Sequence, residues 1–170
     1  MYSLNVPVPG GVAVLASDIA RELPDARARC RGEHTLCVKR LDGNGEEAPY
    51  SHLEARTREA LAGQPAFEVR VTAIEYFTEA VTGSTPVVYL AVESPELRRL
   101  HDRLTAVFPP VEGIEGEGYT PHVTVARGGS LAGAERVTDR AVEPITWTVS
   151  KLSFWDATHH QPVSTVSLPA

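Results

Sequence analysis

The chain predicts an α+β domain of two similar lobes, each an antiparallel sheet covered by helices on one face. Three observations carry this. The 170 residues are 42% hydrophobic and 22% charged, which suits one globular domain over 1–170 and leaves little room for extended disorder. Apolar residues recur alternately at helical and at strand spacing, in the order β-α-β-α-β and then β-α-β-(short helix or loop)-β-β. Each half has a helix, then a strand that opens on a histidine, then further strand, although no repeat is detectable at the level of residues.

The elements follow in order. A first strand is expected over 2–8, ended by Gly10 and Gly11. Val12, Leu15, Ala16, Ile19 and Leu23 then recur at helical spacing until Pro24 stops the pattern. An arginine-rich loop leads into a strand over 35–41, and "LDGNGEEAP" is a turn-rich connection. Leu53, Thr57, Ala60 and Leu61 mark a second helix, closed by Gly63 and Pro65. Phe67, Val69, Val71 and Ala73 alternate with polar residues, as expected of a half-buried strand. "TGSTP" turns the chain into a more buried strand over 87–92. Ser94 and Pro95 form a helix start, with a serine N-cap and proline at the first helical position. Leu97, Leu100, Leu104 and Val107 continue that helix to Pro109 and Pro110. "EGIEGEG" reads as a flexible acidic loop before a strand over 122–126. A Gly/Ala-rich connection then leads to strands over 145–155 and 163–168, with a turn near "DATHHQP".

Composition excludes several classes. No run approaches the ~20 apolar residues of a membrane span, and the start shows no signal-peptide pattern, so a cytoplasmic protein is expected. Cys30 and Cys37 lack CxxC spacing and are expected to be reduced, with no metal site. A net charge of −6 argues against binding long nucleic acid non-specifically. The cations are unevenly placed: Arg21, Arg27, Arg29, Arg31, Lys39 and Arg40 crowd one window before and within the first histidine strand. They make either a solvated loop or a local field that attracts a small anion.

The chemistry-bearing pieces are "EHTLCVKRL" and "YTPHVTVAR". In the second, the pleat sends His122 and Thr124 to one face and Val123 and Val125 to the other. An imidazole and a hydroxyl roughly 7 Å apart along a strand can bind and protonate a phosphate oxygen. They can equally be the wet side of a half-exposed strand. In the first piece, a regular pleat from His34 would point Lys39 at the helices. A buried, unpaired ammonium there costs several kcal/mol. If His34 instead sits at a bulge or strand entry, Leu36 and Val38 turn inward, and Thr35, Cys37 and Lys39 face out beside it.

On these two motifs the chain resembles the two-histidine (2H) phosphoesterases, which include 2′-5′ RNA ligase-like proteins and cyclic nucleotide phosphodiesterases. Members carry two H-x-(T/S)-x motifs, one per lobe, facing each other across a central groove. "YTPHVTV" matches in full, including the proline before His122 and the upstream aromatic Tyr119. "HTLC" departs, because Leu36 stands where the pattern has threonine. Either Thr35 takes over through altered backbone or one half of the phosphate clamp is absent.

The resemblance implies His34 and His122 as the acid and base. Thr124 and Thr35 would hydrogen-bond the phosphate, and Lys39 and Arg127 would balance its charge. No metal and no cofactor are implied. Tyr119 is a base-stacking candidate, as are Phe77, Tyr89, Trp147 and Trp155. His159 and His160 are expected at the surface, as are His52 and His101 on helices. The implied activity is metal-independent opening of a 2′,3′-cyclic phosphate on an RNA end or a small nucleotide by a monomer. The alternative is a nucleotide or RNA-end binding module that keeps the groove without turnover. A third reading makes the two histidines coincidental.

Overall fold

The computed structural model describes residues 1–42 and 48–170; most of the turn expected at "LDGNGEEAP" lies outside the described residues. The strands are β1 (Tyr2–Pro7), β2 (Arg27–Ala28), β3 (Thr35–Arg40), β4 (Phe67–Phe77), β5 (Val87–Glu93), β6 (His122–Arg127), β7 (Ile145–Val149), β8 (Lys151–Asp156) and β9 (Gln161–Ser167). The α-helices among the described residues are α1 (Gly10–Ala20), α2 (Tyr50–Ala60), α3 (Pro95–Thr105) and α4 (Leu131–Thr138), and a single 3₁₀ turn covers Gly116–Gly118.

In place of two separate sheets, the strands form one nine-stranded antiparallel sheet in the order β7-β4-β5-β6-β3-β1-β8-β9, with β2 beside β6. The centre of this sheet is a narrow seam, because β3 and β6 share one bridged pair, Leu36 with Val123. Beyond it the edge of β6 passes to β2, through Ala28 with Ala126 and Arg27 with Arg127. The expected strand over 145–155 is two strands that part at Ser150. The first pairs with β4 and the second with β1, at opposite ends of the sheet. Period-two patterning cannot reveal such a break, since both pieces alternate in the same way.

The core lies between the helices and one face of the sheet. Leu4, Val6, Leu36, Val38, Val123 and Val125 are fully buried there. Val12, Ala16 and Ile19 of α1, and Leu97, Leu100 and Leu104 of α3, close over them. Ser94 caps α3 as its sequence predicts, its hydroxyl accepting from the Leu97 amide at 3.2 Å. The Gly/Ala-rich connection contains a helix of its own, α4, started by Ser130, whose Oγ accepts from Gly133 N at 3.0 Å. His101 is fully buried, not solvent-facing as expected. Its Nδ1 donates to the Val38 carbonyl at 2.7 Å, its Nε2 accepts from Gly116 N at 2.9 Å, and both nitrogens are thereby satisfied.

Candidate functional site

Two bulges decide which side chains leave the core. In β3, Leu4 pairs with Lys39 but Asn5 pairs with Cys37, so Val38 is the extra residue. Lys39 therefore joins Leu36 on the core face, while Thr35, Cys37 and Arg40 share the opposite face. In β6, Tyr89 of β5 pairs with Thr124 but Val88 pairs with Ala126, so Val125 is the extra residue. Ala126 turns to the core, and Arg127 joins His122 and Thr124. Each central strand thus uses one inserted valine to present an arginine that a regular pleat would have buried.

This corrects the expectation for Lys39. Its ammonium is fully buried and bonds to Glu115 Oε2 at 2.6 Å, to the Arg40 carbonyl at 2.7 Å and to the Pro109 carbonyl at 3.2 Å. It is committed to the interior and cannot hold a phosphate. Glu115 also accepts from the amides of Arg40 and Val111, at 2.8 and 2.9 Å. Burial alone would raise its pKa, but the Lys39 ammonium and those amides outweigh burial and hold the carboxyl below its usual range. The acidic segment read as a flexible loop therefore carries a buried structural anchor.

The face opposite the core is concave, with a cavity of about 360 Å³. Cys37, Arg40, Phe77, His122 and Arg127 form its floor, and the 79–82 and 113–120 segments form its rim. Cys37 and His122 are each one step from the bridged Leu36–Val123 pair, in opposite chain directions, and so face each other across the seam. His122 is half-buried. Its Nδ1 donates to the Thr120 carbonyl at 2.6 Å, which leaves Nε2 as the acceptor of the neutral ring. Phe77 and Tyr89 press on the imidazole, each with ring centroids 5.3 Å away. Burial lowers the pKa of His122. The Thr120 hydrogen bond opposes that fall, and the positive charges of Arg40, Arg127 and Arg29 add to it. Burial likewise keeps Cys37 a thiol, by raising its pKa.

The other expected site residues fall as follows. Arg127 lines the cavity, and its Nη1 donates to the Thr82 carbonyl at 3.0 Å. Gly83 makes room for it, since a Cβ there would stand 3.1 Å from Nη1. Thr124 shares the face of His122 but is only 9% exposed. Thr35 shares the face of Cys37 and donates to the Val6 carbonyl at 3.4 Å. Neither threonine is among the lining residues of the cavity. His34 is not among them either. It precedes β3, is 7% exposed, and has two covered ring nitrogens without a hydrogen-bond partner among the described residues. Burial and then Arg29 lower its pKa.

Tyr119 is among the lining residues of the cavity, but little of its ring is open to a base. It is 6% exposed, stacks on His101 at 3.8 Å, and donates its hydroxyl to the Cys37 carbonyl at 2.8 Å. Of the aromatic candidates off the floor, Tyr89 is buried, and Trp147 and Trp155 stand on β7 and β8. His52, His159 and His160 are exposed. Sequence reasoning placed Cys37 on the outward face but missed Arg40 as a groove residue, because only the bulge places Arg40 there. Among the described residues no three His, Cys, Asp or Glu side chains are grouped to hold a metal ion. No described helix is long and apolar enough to cross a membrane.

Fold and site together define an α+β protein with a cationic groove on the open face of an antiparallel sheet. The chain belongs to the 2′-5′ RNA ligase superfamily, the 2H phosphoesterases, whose family model matches residues 36–161. That span contains His122 and begins after His34. Solved structures of similar fold include E. coli LigT complexed with 3′-AMP, at 16% identity and a TM-score of 0.70, covering 99% of this chain and 98% of that one. TT0787 of Thermus thermophilus is 19% identical, with a TM-score of 0.64 and coverage of 98% and 97%. Kluyveromyces marxianus Usb1 is 12% identical, with a TM-score of 0.62 and coverage of 99% and 97%. A search of curated proteins finds no match.

Proposed function

We propose that the groove binds the phosphate-bearing end of a nucleotide or short RNA and does so without efficient turnover. The two halves of the sheet act as lobes of a cradle, with the seam beneath the phosphate. The observation that carries this reading is that His122 lines the groove among arginines, while His34 has both nitrogens covered outside it. Opening a cyclic phosphate needs a base for water and an acid for the leaving ribose oxygen. His122, neutral with Nε2 unprotonated, supplies the first. Arg40 and Arg127 supply charge for the phosphate oxygens, and Phe77 offers an aromatic surface to a base. The related E. coli LigT has been captured with ATP and with 3′-AMP, which fits a nucleotide in a groove of this fold.

The second reading is metal-independent hydrolysis of 2′,3′-cyclic phosphates with His34 as the acid. Membership of the phosphoesterase superfamily favours it. One experiment separates the two. The protein is incubated with 2′,3′-cyclic AMP and EDTA, products are followed by ³¹P NMR, and binding is measured by calorimetry. Heat of binding with no product is expected, and His34→Ala should leave that binding unchanged. Product formed at a catalytic rate and lost in both His34→Ala and His122→Ala would replace the binding reading with the enzymatic one.

A further inference from the structure

The charges around the groove go beyond what a singly charged ligand requires. Two guanidinium groups, from Arg40 and Arg127, line the groove, and Arg29, outside the lining, acts with them on His122, in a protein whose net charge is −6. They also act on one another, since Arg29 and Arg40, after burial, lower the pKa of Arg127. Like charges are held together here by the fold. Arg40 is held by the β3 bulge and by the hydrogen bond that its backbone N–H donates to Glu115 Oε1. Arg127 is fixed by the β6 bulge, the Thr82 carbonyl and the space left by Gly83.

The carboxylates nearby offset this charge only in part. Glu115 lies 3.6 Å from Arg40, but it is nearer the buried Lys39 ammonium, at 2.6 Å, and so neutralises a cation inside the core. Glu75 accepts from the Tyr89 hydroxyl at 3.1 Å. Glu79 stands on the rim. With Lys39 and Arg40 sharing the charge of Glu115, and Glu79 the one carboxylate among the described lining residues, the groove keeps an excess of positive charge that favours a bound anion.

We infer that the groove selects a terminal phosphomonoester over a cyclic or internal phosphodiester. This rests on the proposed reading of the groove and specifies its ligand. A monoester above its second pKa of about 6 carries nearly two charges and three free oxygens, whereas a diester carries one charge and two. Two arginines on opposite strands, each able to present a fork of donors, match the three-oxygen end better. The ligand class is therefore a nucleoside or RNA terminus that already bears an open 2′- or 3′-phosphate.

The test is calorimetry on the full chain at pH 7.5 and fixed low salt with 3′-AMP, 2′,3′-cyclic AMP and adenosine, the cyclic nucleotide being recovered and checked for opening. The expected result is that 3′-AMP binds at least about tenfold more tightly than the intact cyclic form. Arg127→Gln and, independently, Arg40→Gln should each shrink that ratio in protein whose circular dichroism is unchanged. Equal affinity for the monoester and the cyclic form overturns the inference while the groove reading stands. A ratio that persists in both variants also overturns it. Binding of neither nucleotide overturns the groove reading itself.

Discussion

His122 carries the chemistry of the groove because its surroundings set both its tautomer and its charge. The Thr120 carbonyl fixes the proton on Nδ1, and burial together with Arg40, Arg127 and Arg29 disfavours a second proton. Its NMR titration midpoint should therefore lie below the ordinary histidine value of about 6.5. Arg40→Gln should raise it, and so should a bound phosphate, since either change removes or offsets positive charge. A midpoint that does not move with Arg40→Gln would show that the Arg40 charge does not reach His122.

Lys39 and Glu115 form a buried ion pair. They are 0% and 1% exposed as side chains and meet at 2.6 Å. Removing one partner leaves an uncompensated buried charge, so Glu115→Ala should cost about 3–5 kcal/mol in denaturant unfolding. Replacing both partners, as Lys39→Met with Glu115→Leu, should recover a substantial part of that loss. The sequence alone showed the problem, since a lysine at the core face had to be paired. It could not show the solution, because the partner stands far along the chain in a segment whose composition suggests a mobile acidic loop.

The helices and strands were legible to different degrees. Helix α3 is specified locally by the Ser94 cap, by Pro95 at its first turn and by the Leu97, Leu100 and Leu104 stripe. Ser94 Oγ both accepts from Leu97 N and donates to the Glu68 carbonyl at 2.7 Å, so it joins the helix to β4. Ser94→Ala should lower unfolding free energy by about 1–2 kcal/mol, whereas Ser94→Asp should retain most of the cap. The strands carried their inward valines and leucines just as plainly. Their bulges were hidden, because Val38 and Val125 look like any other apolar strand residue. A bulge exists only relative to the neighbouring strand, and each reassigns every side chain beyond it. For that reason His122 was readable as a groove residue, Arg40 was not, and Lys39 was placed on the wrong face.

Across the whole molecule, the sheet depends on the seam between β3 and β6. Leu36 and Val123, its bridged pair, are both fully buried. Leu36→Ala should cost about 2–5 kcal/mol and should also weaken nucleotide binding, since Cys37 and His122 are the next residues on either strand. The three histidines with lowered pKa values, His34, His101 and His122, give stability a common pH dependence. Each binds a proton more readily in the unfolded chain than in the folded one. Stability is therefore full above about pH 6.5 and declines as pH falls from there through the folded-state values. Calorimetric Tm at pH 7.5 and at pH 5.5 should show this drop, and His101→Asn should reduce it.

By itself the sequence determined the element types, the apolar face of each helix and central strand, and the histidine motif of β6, because all of these follow from periods of two or 3.6 residues within one segment. Only the tertiary structure decided that the 145–155 segment divides between opposite ends of the sheet, that Lys39 turns inward to Glu115 while Arg40 turns outward, and that the ring nitrogens of His34 are covered. These depend on hydrogen-bond register and on charge compensation between distant segments, and no local pattern of residues encodes either one.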